Sequence, residues 1–182
     1  MNTKKELDII YCEDTLFTSY ECEKLIKLSQ ETGEFYNSAE EKIPGVLYHK
    51  QTVKNTENTN WIFERLTNYF ITKTNLCLRK VPDEFFINKY EKNCSFALHN
   101  DGYDFKRIWS LVVQLSDEYT GGDLNLYLNK KIKIKKNIGN CVMFRPEIFH
   151  EVTTVKSGTR WSLILFLENE NICDEYNKKT LF

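Results

Sequence analysis

In the first 80 residues the apolar positions fall at helical spacing, and from about Glu84 they contract into short runs that alternate with polar residues. Thr18 and Glu21 match a reciprocal N-terminal cap, and Cys22, Leu25, Ile26 and Ser29 follow as one stripe that stops near Gly33, which predicts a helix. A second helix is predicted after the polar run 55–60, with Ile62, Leu66, Tyr69 and Phe70 on one face. Beyond Glu84, runs of Val, Ile, Leu, Phe and Tyr are divided by Gly, Asn, Asp and Ser, the texture of strands and turns. The strands expected are 85–91, 95–99, 108–116, 124–129, 131–135, 140–144, 149–155 and 160–167. Eight short strands point to a sandwich or jelly roll, so the reading is a mainly β chain with a helical N-terminal part (about 1–80) and a β core (about 84–168). Residues 45–60 are largely polar and read as a flap.

Composition narrows this picture. A chain of 182 residues suits a single domain, and 41% hydrophobic with 28% charged residues is the balance of a folded globular protein. Twenty-five basic residues nearly cancel 26 acidic ones, so no overall field favours nucleic acid or an anionic membrane. The lysine-rich stretch 130–136 alternates with isoleucines as a strand with one solvated face does, and lysines there also protect a sheet edge. The opening residues 1–8 lack the apolar run of a signal peptide and no later run reaches the length of a membrane span, so the expected location is cytoplasmic, with no membrane partner. Six cysteines, at 12, 22, 77, 94, 141 and 173, contain no Cys-x-x-Cys pair and are expected to be reduced thiols, mostly interior.

Three histidines limit where chemistry can reside. His99 and Asp101 are two apart, so on extended backbone both project to one side and can share a metal ion. Alone, the pair reads equally well as a strand followed by a turn. His150, in a later strand, completes two imidazoles and a carboxylate, the facial ligand set of non-haem iron(II) oxygenases, which leaves positions open for an α-keto acid and dioxygen. His49 has no partner motif and reads as a structural or surface histidine. Arg160 begins a strand that is apolar on both faces (163–167), where a buried guanidinium needs an anion; a surface start to the strand is the alternative. The far carboxylate of 2-oxoglutarate matches its planar donor fork.

With these residues in place, 86–167 resembles the prolyl 4-hydroxylase-like branch of the 2-oxoglutarate and iron(II) dioxygenases. The resemblance rests on Ile87-Asn88-Lys89-Tyr90-Glu91 ahead of Phe96-x-x-His99-x-Asp101, on 107–116 leading into Tyr119-Thr120-Gly121-Gly122-Asp123-Leu124, and on 139–144 leading to His150, Val155, Gly158, Arg160 and Ser162. It implies a double-stranded β-helix and an enzyme using Fe(II), 2-oxoglutarate and O2, in which 2-oxoglutarate becomes succinate and carbon dioxide while a substrate carbon is hydroxylated. It also implies that Tyr90 lies beside the cosubstrate's far carboxylate, that Ser162 assists Arg160, and that Asp101 favours hydroxylation over halogenation. Lys92 and Asn93 stand where the family often has glycines, and Gln114 where an aromatic is usual, which suggests a different substrate side. The helical extension that many bacterial relatives carry after the last strand is not expected.

The leading expectation is a hydroxylase of an amino-acid side chain, foremost a prolyl residue of a protein or peptide. A free amino acid or small molecule is an alternative substrate. A nucleic-acid demethylase of the same superfamily would be expected to carry a second arginine after Arg160, and none occurs. A jelly-roll binding module without chemistry would have no use for His99, Asp101, His150 and Arg160 together.

Overall fold

The computed structural model describes residues 9–32, 35–37, 46–74 and 77–173. Residues 1–8, Gly33, Gly45 and the polar tail after Cys173 lie outside them.

The predicted cap is formed: the Glu21 amide donates to Thr18 Oγ1 at 3.3 Å and the Thr18 amide donates to Glu21 Oε2 at 2.9 Å, opening helix α1 (Ser19–Thr32). Helix α2 (Asn60–Thr74) follows the polar run and buries Ile62, Phe63, Leu66, Tyr69 and Phe70. Among the strands foreseen, β5 (Glu84–Tyr90), β6 (Ser95–His99), β7 (Arg107–Gln114), β9 (Leu124–Tyr127), β10 (Lys131–Lys133), β11 (Asn140–Phe144), β12 (Phe149–Val152) and β14 (Arg160–Glu168) are present.

The structure corrects the remainder. The N-terminal part is not only helical, because it also supplies β1 (Ile9–Thr15), β2 (Tyr36–Asn37), β3 (Val46–Leu47) and β4 (His49–Lys54) to the sheets. β2 and β3 are two residues each and β4 is polar in sequence except for Val53, which leaves little hydrophobic alternation to read. The supposed flap at 45–60 is largely this β3 and β4 pair, which crosses from one sheet to the other at Tyr48, stacked against Tyr90 and Phe96 at 5.3 and 5.1 Å. The single strand expected at 149–155 divides into β12 and β13 (Val155–Gly158), and β13 leaves the sheet to pair with β8 (Tyr119–Gly121). Gly121 there has φ +68°, and a Cβ would meet the Thr154 carbonyl oxygen at 2.1 Å, so only glycine fits that turn.

Two antiparallel sheets carry the fold. The larger runs β1-β11-β7-β14-β5-β4-β2 and the smaller β10-β9-β12-β6-β3. Helices α1 and α2 supply Leu25, Phe63, Leu66 and Phe70 to a core shared with one face of the larger sheet, including Leu111, Met143, Leu163, Leu165 and Leu167. Its other face meets the smaller sheet through Val112, Val142, Phe144, Leu124, Leu126 and Val152. The larger sheet is thus covered on both sides, which explains the unbroken apolar run 163–167. This is the jelly roll expected, a double-stranded β-helix with helices packed on one side.

Candidate active site

Strands β6 and β12 are antiparallel neighbours, and their register sets His99 directly opposite His150. Asp101 lies two residues past the end of β6, and its amide donates to the Pro146 carbonyl at 2.8 Å, which folds it back toward the pair. One side-chain atom from each of His99, Asp101 and His150 lies within 4.8 Å of the others, an arrangement able to hold a metal ion. The Nε2 atoms of His99 and His150 are 3.9 and 3.7 Å from the Asp101 carboxylate.

The surroundings orient these groups. Nδ1 of His99 is 2.8 Å from the Ala97 carbonyl oxygen and Nδ1 of His150 is 3.0 Å from that of Ile148. A carbonyl only accepts, so each ring carries its proton on Nδ1 and turns the Nε2 lone pair toward the shared centre. Phe96 stacks on His99 at 3.7 Å, and Phe144 packs edge-on to His150 at 4.8 Å. Burial, and then the neighbouring His150, hold the His99 imidazole below its ordinary pKa, which keeps it in the neutral form that ligates. From the opposite sheet Ser110 donates its hydroxyl to Asp101 Oδ2 at 2.7 Å. The sequence offered no signal for Ser110, because its role depends on β7 facing β6 across the core.

The same pocket reaches Arg160, which is 1% exposed. Its Nη1 donates to Ser162 Oγ at 2.8 Å, and the guanidinium lies 5.0 Å over the ring of Tyr90, its cross-strand partner. Nε and Nη2 of Arg160 have no hydrogen-bond partner among the described residues. A buried cation with two unused donors is costly unless an anion meets it, so this end of the pocket suits a carboxylate. Burial pushes the Tyr90 phenol above its ordinary pKa, so it stays a neutral donor there.

Gln114, which stands where relatives often have an aromatic, is not among the residues that line this pocket. It lies opposite Ser162 on the neighbouring strand, at the Arg160 end, 2% exposed and with both amide atoms unpartnered among the described residues. Lys50, Phe86, Tyr103, Arg107 and Phe166 also line the pocket and were not legible beforehand, since four separate segments bring them together. Arg107 lies 3.7 Å over Phe166 and 3.9 Å from Asp101.

The remaining motifs fall elsewhere. His49 faces Glu91 at 3.5 Å and takes no part in the metal-competent cluster. Lys131 and Lys133, on the edge strand β10, reach Glu151 and Asp123 at 3.3 and 2.8 Å, and Lys136 reaches Asp123 at 2.9 Å, as a solvated edge would. No helix among the described residues is long and apolar enough to cross a membrane.

Known proteins share this fold. The description "2OG-Fe(II) oxygenase superfamily" matches residues 85–168. No curated protein matches the chain by sequence. Among solved structures, a 2OG-Fe(II) oxygenase family oxidoreductase from Burkholderia pseudomallei is similar, with a TM-score of 0.72 at 16% identity over 93% of this chain and 88% of that one. A prolyl-4-hydroxylase from Pseudomonas putida gives 0.71 at 18% identity over 88% and 92%. A prolyl hydroxylase from Trichoplax adhaerens, in complex with a hypoxia inducible factor oxygen degradation domain peptide fragment, gives 0.72 at 16% identity over 100% and 90%. Residues 85–168 thus match the 2OG-Fe(II) oxygenase superfamily, and the chain has the fold of prolyl 4-hydroxylase-like members of that superfamily.

Proposed function

We propose that this dioxygenase hydroxylates an amino-acid side chain, foremost a prolyl residue of a protein or peptide. His99, Asp101 and His150 are the iron ligands in this reading, and Arg160, Ser162 and Tyr90 receive the far carboxylate of 2-oxoglutarate. Iron(II) and 2-oxoglutarate together supply the oxidising chemistry, in which dioxygen gives one oxygen atom to the substrate C–H bond as succinate and carbon dioxide are formed. The observation that carries the proposal is the buried, incompletely paired Arg160 opening onto the same pocket as the two imidazoles and the carboxylate.

The chain's own residues divide the work. The Ala97 and Ile148 carbonyls fix the imidazoles in the ligating tautomer, and Ser110 holds the carboxylate at the angle it presents. Ser162 accepts from Arg160, so its own hydroxyl hydrogen remains available to an incoming carboxylate. The exposed Tyr103 lines that pocket, and Phe105 follows it on the same loop, apolar surfaces suited to a pyrrolidine ring and the flanking peptide. The prolyl reading is further supported by the substrate class named for the Pseudomonas putida and Trichoplax adhaerens enzymes. Lys50 and Arg107 on the pocket wall favour a second reading, a free amino acid whose carboxylate they would take.

Succinate release decides between these readings. With iron(II), 2-oxoglutarate and air, proline-containing peptides are expected to stimulate turnover more than free amino acids, and oligonucleotides not at all. His150→Ala is expected to fall to the background of metal-free protein. Undiminished succinate from that variant sinks the ligand assignment, whereas stimulation by free amino acids alone overturns the peptide substrate.

A further inference from the structure

Away from the active site, the segment after α2 and the segment after β14 run antiparallel beside each other. Leu78 and Ile172 form a β-bridge, the Arg79 amide donates to the Asn171 carbonyl at 2.8 Å, and the Cys173 amide donates to the Cys77 carbonyl at 2.9 Å. This register sets Cys77 and Cys173 directly opposite each other, so their side chains leave the ribbon on the same face. One bond, from the Cys173 amide to the Cys77 carbonyl, joins the two, and directly opposed residues of an antiparallel ribbon have Cα atoms about 4.5–5.5 Å apart, inside the roughly 4.4–6.8 Å that a disulfide spans.

Accessibility separates this pair from Cys22, Cys94 and Cys141. Cys22, Cys94 and Cys141 are buried, and burial pushes the Cys22 thiol up to about 12 and raises that of Cys94 as well, which suppresses the reactive thiolate. Cys77 is exposed and Cys173 half-buried. An oxidant therefore meets Cys77 first, with Cys173 poised to resolve the adduct.

We infer that Cys77 and Cys173 are an oxidisable pair that closes into a disulfide and staples the segment after α2 to the segment after β14. With a small disulfide such as oxidised glutathione, the Cys77 thiolate attacks one sulfur, forms the mixed disulfide and expels one glutathione thiolate. The Cys173 thiolate then attacks Cys77 sulfur, forms the protein disulfide and expels the second glutathione. Two protein thiols lose two protons and two electrons, and the reagent is reduced to two thiols. The loop so closed contains the entire run from β5 to β14, and a cross-link across so long a loop removes much freedom from the unfolded chain.

The test uses the full chain, fully reduced and then exposed to oxidised glutathione before free thiols are alkylated. Expected are a mass lower by two hydrogens in the non-alkylated pair, a Cys77 to Cys173 linked peptide after digestion, and a Tm raised by roughly 5 °C or more that a reductant reverses. Cys77→Ser, a change at an exposed site, should leave the reduced Tm in place and remove the increase. Glutathione stranded on Cys77 with Cys173 alkylated overturns the inference. So does a linkage to any other cysteine, or a linked pair with an unmoved Tm. Peptide mapping of the unmutated chain reads these outcomes even where a variant folds poorly.

Discussion

The two faces of the larger sheet are built from the same strands to opposite ends. On β14, Trp161, Leu163, Leu165 and Leu167 join the core shared with the helices, whereas Arg160 and Ser162 point inward, where Arg160 keeps two unpartnered nitrogens among the described residues. The helix-covered face gains stability with every buried side chain, at about 25 cal/mol per Å² of apolar surface. The inner face sacrifices some of that gain, because its buried polar groups wait for partners that a cosubstrate and a metal ion would provide. Alternation along a single strand lets one element serve both ends.

Three substitutions break or sharpen this contrast. The largest effect is expected on the dry face: Leu165→Ala should cost about 3 kcal/mol of unfolding free energy by urea titration, through lost transfer energy and a cavity, while the folded fraction keeps its affinity for 2-oxoglutarate. The inner face should answer in the opposite sense. Arg160→Met is expected to weaken 2-oxoglutarate binding roughly 100-fold, or ~2.7 kcal/mol, in anaerobic titrations, yet leave the ligand-free protein as stable as before or more so, because an incompletely paired buried charge is removed. A stability loss matching that of Leu165→Ala would erase the distinction between the faces. Smallest is the cap of the covering layer: Thr18→Ala should lower stability by about 1 kcal/mol in the same urea assay and leave cosubstrate affinity alone.

The ease of reading the two faces from the sequence also differed. Helix α1 was visible in the Thr18 and Glu21 cap and helix α2 in its apolar stripe, because both signals are local. Strands β5 to β7, β11 and β14 were visible because alternation and dense Val, Ile and Leu mark them. Strands β1 to β4 and β8 were not, since β2, β3 and β8 span only two or three residues and β1 and β4 take their places by pairing with the distant β11 and β5. In the site, His99, Asp101 and Arg160 could be named because imidazole, carboxylate and guanidinium are chemically distinctive and scarce in such settings. Ser110, Lys50 and Tyr103 carry common side chains, and only the facing of one strand or loop across another gives them a role.

From its sequence alone the chain determined its β character after Glu84, the ligand types it can offer a metal, and a guanidinium placed where an anion is needed, since these follow from residue chemistry and spacing. Tertiary structure decided the register that sets His99 against His150, the crossing of the chain between sheets at Tyr48, the place of Gln114 opposite Ser162, and the meeting of Cys77 with Cys173. Each of these joins positions far apart in the chain, and what brings such positions together is strand pairing, whose energy depends on the partner rather than on either segment alone.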